Sequence, residues 1–436
     1  MTDLITRKPS DWDIKNLENI ATFITKGATP TTYGFEWVEE SSDSIPFLRS
    51  ECVTANGFNR KGMNFISKKA HVTMGRSKIK SGDILMTITG NIGRIATLPD
   101  EIPEANINQH IAKISVIDGV SSSYVAQALQ QERYNRYYER ILTGQAYPQI
   151  SLKQVRETPI LLPPHPEQQK IAEVLSTVDK KIDLIDQKIA ETEKLKTGLM
   201  QKLFSEGVGV QDENGEWQPH TEFQDSIYGN IPKTWKLFKL NQVTDYVDYR
   251  GKTPPKVESG TFLVTAKNIK NGFIDYECSK EYIPSELYDD VMSRGKPKLG
   301  DVVFTTEAPL GNVALIDRSD VAIAQRVIKF RPKDDICLDS GYLKHFMLST
   351  YFQKELLQNA TGSTVLGVKG KRLHVMLVCL PSINEQIMIV DILNEVDRKM
   401  HFLELQKAET QQLKKGLMQK LLTGEWRVPV EETEAA

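Results

Sequence analysis

Basic and amide side chains gathered at turns are the residues of this chain whose types and spacing suggest chemistry. In the first half they fall in "TKGATPTTY" (Thr25–Tyr33), which carries Lys26 and Thr29, and in "RSECVTANGFNRKG" (Arg49–Gly62), which carries Arg49, Asn56, Arg60 and Lys61. "MGRSKIK" (Met74–Lys80) adds Arg76 and Lys78, and Arg94 closes the turn "TGNIGR" (Thr89–Arg94). The second half offers Arg250 and Lys252 in "YRGKTPPK" (Tyr249–Lys256), and Lys267, Asn268 and Lys270 in "AKNIKNGF" (Ala266–Phe273). Lys369, Lys371 and Arg372 follow in "GVKGKR" (Gly367–Arg372). Lys and Arg at such tips neutralise phosphates, while Asn, Gln and Arg can hydrogen-bond base edges in a DNA major groove. One such residue alone is more often a solvated charge, so the expectation attaches to the clusters.

Other chemistry lacks its residues. No HExxH or paired metal spacing links the seven histidines, and no GxSxG elbow occurs. "GSTVLGVKG" (Gly362–Gly370) places valine where a phosphate-binding loop needs lysine. The doubled glycine of "TGNIGR" is missing from its counterpart "EAPLGN", so both read as turns between strands. Cys52, Cys278, Cys337 and Cys379 form no CxxC pair, which indicates neither a zinc site nor a disulfide framework. There is no apolar run of the roughly 18 residues that a membrane span requires, and no signal pattern opens the chain. A reducing cytoplasm is the expected setting. The residues point to a binding scaffold with no catalytic group and no metal or cofactor of its own.

The net charge is −2, but its distribution is uneven. Residues 1–164 carry 19 Lys/Arg against 17 Asp/Glu, and residues 225–384 carry 22 against 18. The acid is concentrated in 206–224, with five acidic and no basic residues, and in the tail 425–436. Two long, mildly basic segments separated by neutral or acidic ones suit an anionic partner.

These clusters are held on a duplicated frame. Sliding the chain against itself by 218 residues aligns "LKTGLMQKLF" (Leu195–Phe204) with "LKKGLMQKLL" (Leu413–Leu422), and 18 of 37 positions between 167–203 and 385–421 are identical. Weaker matches join "SGDILMTITGNIGRIATL" (Ser81) to "LGDVVFTTEAPLGNVALI" (Leu299), and "NQHIAKI" (Asn108) to "AQRVIKF" (Ala324). Each half reads as an α+β module, mostly short strands with a late helix, followed by one long helix. The helices stay alike while the modules diverge, as expected of one mechanical task and two different recognition tasks.

Ile171, Leu175, Val178, Ile182, Ile185 and Ile189 are spaced 4-3-4-3-4, a coiled-coil seam. Ile389, Leu393, Val396, Met400 and Leu403 repeat it, and Leu413, Leu417 and Leu421 are expected to carry it onward. A helix of about 38 residues, roughly 57 Å long, needs a partner for its apolar stripe, and the other copy is the obvious one. An antiparallel pair would place the two modules at opposite ends of a ruler of about 17 base pairs.

The organisation resembles the specificity subunit of type I restriction–modification systems over essentially the whole chain. The most specific element is the proline-led helix start "LLPPHPEQQKIAEVLSTVDKKI" (Leu161–Ile182), repeated as "CLPSINEQIMIVDILNEVDRKM" (Cys379–Met400). Trp12 and Trp235 near the module starts, and the Gly82-Asp83 and Gly300-Asp301 turns, also fit. The second helix start departs slightly, with "SINEQ" where the family usually has a second proline or an apolar residue.

The resemblance implies an α+β fold with two target recognition domains, related by a pseudo-two-fold and separated by an antiparallel coiled coil. The expected boundaries are 1–164 and 225–382 for the domains, and 165–205 and 383–424 for the helices, with an acidic linker 206–224 and an acidic tail 425–436. It implies that each domain reads one half of a bipartite, asymmetric site on double-stranded DNA. Two methyltransferase subunits using S-adenosylmethionine would dock around the helices and methylate adenine N6. Two restriction subunits, which use ATP and magnesium, can join them. Two alternatives stay open: a specificity subunit serving a fused type II-like restriction–methylation enzyme, and a coiled-coil adaptor that binds no DNA.

Overall fold

A computed structural model of the chain describes residues 4–5, 8–144, 148–249, 254–362 and 364–429. It divides into two compact units, Met1–Asp186 with Leu405–Ala436, and Gln187–Glu404. The split falls inside both long helices, His165–Leu203 and Ile383–Leu421, so each unit owns one module and half of each helix.

In the first unit, Ala21–Lys26, Ile111–Val116, Ile84–Thr87 and Ile95–Thr97 form one sheet in that order. A second sheet runs Asn64–Ser67, Ser44–Leu48, Glu104–Ile107 and Lys78–Lys80. The second unit repeats the first sheet with Thr244–Asp248, Val327–Pro332, Val302–Thr306 and Leu310–Leu315. Its other sheet is shorter, with Tyr282–Ile283, Thr261–Val264 and Val321–Ile323. Ile84–Thr87 and Val302–Thr306 are buried at every position, which is why those stretches are nearly continuous apolar runs. The Gly-Asp turn before each has a common cause. Gly82 and Gly300 both adopt φ of 81°, a conformation open to glycine. Asp83 Oδ2 accepts from Lys80 N at 2.9 Å, and Asp301 Oδ2 from Lys298 N at 2.7 Å.

Within each unit the two helix halves run antiparallel. In the first, Asp179 meets Lys414 and Asp186 meets Lys407, so one helix ascends as the other descends. In the second, Lys196 meets Asp397, while Leu203 and Phe204 share a core with Ile389 and Leu393. Ile171, Leu175, Ile185, Ile389, Leu393, Val396 and Leu403 are buried, and Val178, Ile182, Ile189, Met400 and Leu417 are partly so. Each buried aliphatic contributes about 1.5–3 kcal/mol.

Leu413 is a correction, because it is 53% exposed. The seam at that level passes through the buried Thr410, the half-buried Lys414 and Leu417. The first helix does the same with Thr192, Lys196 and Leu199, leaving Leu195 exposed. A heptad slot filled by Thr and Lys moves the seam off the nearest leucine. Within 206–224, expected as an acidic linker, Val210–Gln211 pairs with Trp217–Gln218 in a hairpin, and a second hairpin, Phe223–Ser226 with Gly229–Pro232, starts at the end of that segment.

Candidate nucleic-acid interface

The Glu-Gln pair at the start of each long helix is what fastens a module in place. Trp12 Nε1 donates to Glu167 Oε2 at 3.0 Å, and Trp235 Nε1 to Glu385 Oε2 at 2.9 Å, all four groups being buried. Gln168 Oε1 accepts from Ser121 N at 2.9 Å, and Gln386 Oε1 from Asp339 N at 2.9 Å. Ser121 and Asp339 in turn cap the helices Ser122–Leu129 and Ser340–Leu348. Tyr124 OH donates to Leu161 O and Tyr342 OH to Cys379 O, at 2.8 and 2.6 Å. These bonds satisfy buried polar groups and set the module's orientation on its helix start.

The second oxygen of each anchor is served differently. Arg427, beyond the second long helix, donates to Glu167 Oε1 at 2.7 Å and to Asp11 Oδ2 at 2.6 Å. Those two carboxylates hold the guanidinium charged and above its ordinary pKa, and Arg427 in turn lowers that of Asp11. Glu385 Oε1 instead accepts from Val208 N and Gly209 N at 2.9 and 3.1 Å, with His220 Nε2 at 3.0 Å. In each unit, the chain leaving one helix closes onto the start of the other.

Both modules also share one backbone pattern, a rim built around Ile88 in the first and Thr306 in the second. Ile88 N donates to His110 O at 2.9 Å, and Ile150 N to Ile88 O at 3.0 Å. The second module repeats this with Thr306 N to Arg326 O at 2.9 Å and Val368 N to Thr306 O at 3.0 Å. Beyond the rim, Thr143 and Gln149 exchange two backbone bonds, as do Thr361 and Gly367.

Side chains on this rim differ. The first module places Thr89 Oγ1 at 2.5 Å from His110 Nδ1, and Thr29 Oγ1 donates to Gln109 Oε1 at 2.8 Å. The second places an ion pair there, Arg326 Nε to Glu307 Oε1 at 2.8 Å.

The predicted residues distribute unevenly about these rims. Thr29 bonds directly to the first rim, and Arg49 follows Leu48, whose carbonyl accepts Asn108 N at 3.1 Å. Gly27, between Lys26 and Thr29, has no room for a side chain, since a Cβ would meet Ile107 O at 1.8 Å. Arg94 is half-buried and lines a depression of about 520 Å³ with Ala55, Asn91 and Asn135. Asn56 is exposed on the hairpin Val53–Thr54 with Gly57–Phe58. Lys26, Arg60, Lys61 and Arg76 are exposed, Arg49 pairs with Glu51 at 3.1 Å, and Lys78 is half-buried on its strand.

In the second module, Lys369, Lys371 and Arg372 are exposed immediately after rim residue Val368. Lys267 is exposed, whereas Lys270 folds back to Lys267 O at 2.7 Å. Arg250 and Lys252 lie outside the described residues. Asn268 is a correction. It is fully buried, with Oδ1 accepting from Thr265 N and Oγ1, and Nδ2 donating to Asp275 O and Ser279 O. Its amide is consumed in folding its own loop. Residues 89, 109, 110, 307 and 326 were absent from the sequence expectations. The available signal was the aligned pair "NQHIAKI" and "AQRVIKF", which exchanges His110 for Arg326 immediately before otherwise similar strands.

The family described as type I restriction modification DNA specificity domain matches residues 9–194 and 232–415, once per copy of the repeat. The chain belongs to that family. Its role is therefore that of a type I specificity subunit, in line with the earlier resemblance. It is 26% identical over 430 residues to the type I restriction enzyme MjaVIII specificity subunit of Methanocaldococcus jannaschii, covering 97% of this chain and 94% of that one. Against the EcoBI specificity subunit of Escherichia coli it is 23% identical over 393 residues, covering 81% and 78%. The fold is shared with the crystal structure of a type I S subunit from M. genitalium, at TM-score 0.55 and 14% identity over 94% of this chain and 96% of that one. A second solved chain, from work on assembly and conformational transition of a type I system, gives TM-score 0.54 and 17% identity over 96% and 100%. Among the described residues no group of acidic, histidine and cysteine side chains is placed to hold a metal, and no helix is long and apolar enough to cross a membrane.

Proposed function

We propose that this specificity subunit reads a bipartite, asymmetric sequence on double-stranded DNA, one half through each module's rim and the basic turns around it. The paired helices set the number of unread base pairs and receive two methyltransferase subunits, with two restriction subunits able to join. Chemistry belongs to those partners. Adenine N6 methylation draws on S-adenosylmethionine after the base is flipped from the stack, and restriction draws on ATP and magnesium. The cytoplasm, where the chromosome lies, is the setting.

One observation carries this reading. Two modules are fastened to their helices by the same bonds, yet present different side chains on the same backbone rim. A scaffold that only joined proteins would have no need of matched rims with unmatched chemistry. The test is selection from a random duplex library by the full chain with its methyltransferase subunits. Two short fixed blocks separated by a fixed gap are expected, and a four-residue insertion between Ile185 and Ile189 should lengthen the gap or abolish selection. Enrichment of no sequence would identify the chain as an adaptor instead.

A further inference from the structure

We propose that Arg326, oriented by Glu307, reads the guanine of a G·C pair in the half-site of the second module. The inference deepens the DNA-specificity reading and rests on it.

Among the described residues only two non-glycine positions have positive φ, Arg326 at 72° and Ala308 at 48°, and both lie on this one rim. Left-handed backbone is unfavourable for a side chain that has a Cβ. A bulky Arg held there is worth explaining, and such outliers concentrate at binding sites. Here Thr306 fixes the conformation, since its N–H and its hydroxyl both donate to Arg326 O, at 2.9 and 3.1 Å. The ion pair gives no compensating stability argument. The Arg326 side chain is 52% exposed and Glu307 41%, and exposed pairs contribute little to folding.

The pair is well formed for recognition. Glu307 Oε1 stands 2.8 Å from Nε and holds the guanidinium beside it as an ion pair, and neither terminal nitrogen has a hydrogen-bond partner among the described residues. Two parallel N–H donors match guanine O6 and N7 in the major groove, the commonest specific contact of arginine with a base. Glu307 is a positioning residue whose other oxygen can accept from cytosine N4 of the same pair. Exposed Lys369, Lys371 and Arg372, just beyond Val368 on the rim, supply charge for the flanking phosphates. His110 and Thr89 occupy these positions in the first module, so that half-site should not depend on this contact.

The experiment compares library selection and modified-adenine sequencing for the complete complex carrying wild type, Arg326→Ala, Arg326→Gly, Arg326→Lys or Glu307→Gln. Glycine accepts the left-handed backbone, so Arg326→Gly separates loss of the reader from loss of the turn. Expected is a loss of discrimination of about tenfold to hundredfold at a single G·C position of one half-site, with the other half and the gap unchanged. Glu307→Gln should give a smaller loss at the same position, and Arg326→Lys should not restore it. If the wild-type complex selects a bipartite site and Arg326→Gly selects the same one, the assignment of Arg326 is overturned and the specificity reading stands. The assignment is equally overturned if affinity falls alike on every sequence. If wild type selects no sequence at all, the specificity reading itself falls.

Discussion

The two units agree where they grip the helices and disagree where they face outward. Trp12–Glu167 and Trp235–Glu385 differ by 0.1 Å, and both Gln contacts measure 2.9 Å. On the rims, the first module has a Thr–His contact where the second has an Arg–Glu pair. Anchors have a single geometric solution, because a buried indole N–H and a buried carboxylate must find each other. A rim open to solvent is under no such packing constraint. The comparison thus separates what holds a module from the surface through which we propose that it reads.

The largest effect should come from the anchors. Trp12→Ala and Trp235→Ala each remove a fully buried indole and leave a carboxylate short of a donor, at about 3–5 kcal/mol. Hydrogen exchange should show lost protection in the mutated unit and little in the other. Equal loss in both would mean that the units do not stand as separate cores.

Acid should divide them next. His345, in the second unit, is pushed down to about 3 by burial and by the nearby Lys344 charge, with Asn394 Oδ1 accepting at 3.0 Å and Asp397 and Lys196 close by. The first unit has Gln127 there, bonded to Asp179 at 2.8 Å. Protonation is easier once His345 is unfolded. Its contribution is therefore intact above about pH 6.5 and erodes as pH falls toward 3, by up to ~1.4 kcal/mol per pH unit. Exchange protection measured from pH 7 to 5 should decline faster in the second unit, and His345→Gln should reduce that difference.

Smaller and symmetric losses are expected from the paired ion bridges. Lys196–Asp397 and Lys414–Asp179 are equivalent under the repeat, half-buried and 2.5–2.6 Å long. Replacing either lysine by methionine should cost about 1 kcal/mol in urea unfolding, since the stem can still pack. A cost confined to one of the two would show that the helices are not equivalent. Smallest of all, Leu413→Gln and Leu195→Gln should each change the stability of the isolated chain by less than about 0.5 kcal/mol, because both side chains are exposed.

The long helices were legible because their aliphatic period recurs after 218 residues, and the Glu-Gln pairs were legible as letters. Their purpose was not, because each Glu finds its tryptophan 155 or 150 residues away. Leu413 misled because the leucine nearest a heptad slot need not fill it when Thr410 and Lys414 can. Asn268 misled because an amide in a polar turn looks the same whether it meets solvent or closes its own loop. Arg326 and His110 went unnoticed because each is one polar letter leading into a buried strand, and only the register against Thr306 and Ile88 brings them to a rim.

Module replacement tests the separation of grip from readout most directly. Residues 9–160 would be exchanged for the corresponding segment of a relative with a different site, keeping both long helices, and the modified adenines sequenced in cells that carry the complete complex. One half of the methylated sequence should change while the other half and the spacing persist. Alteration of both halves together would contradict the claim that each module reads DNA through a rim of its own.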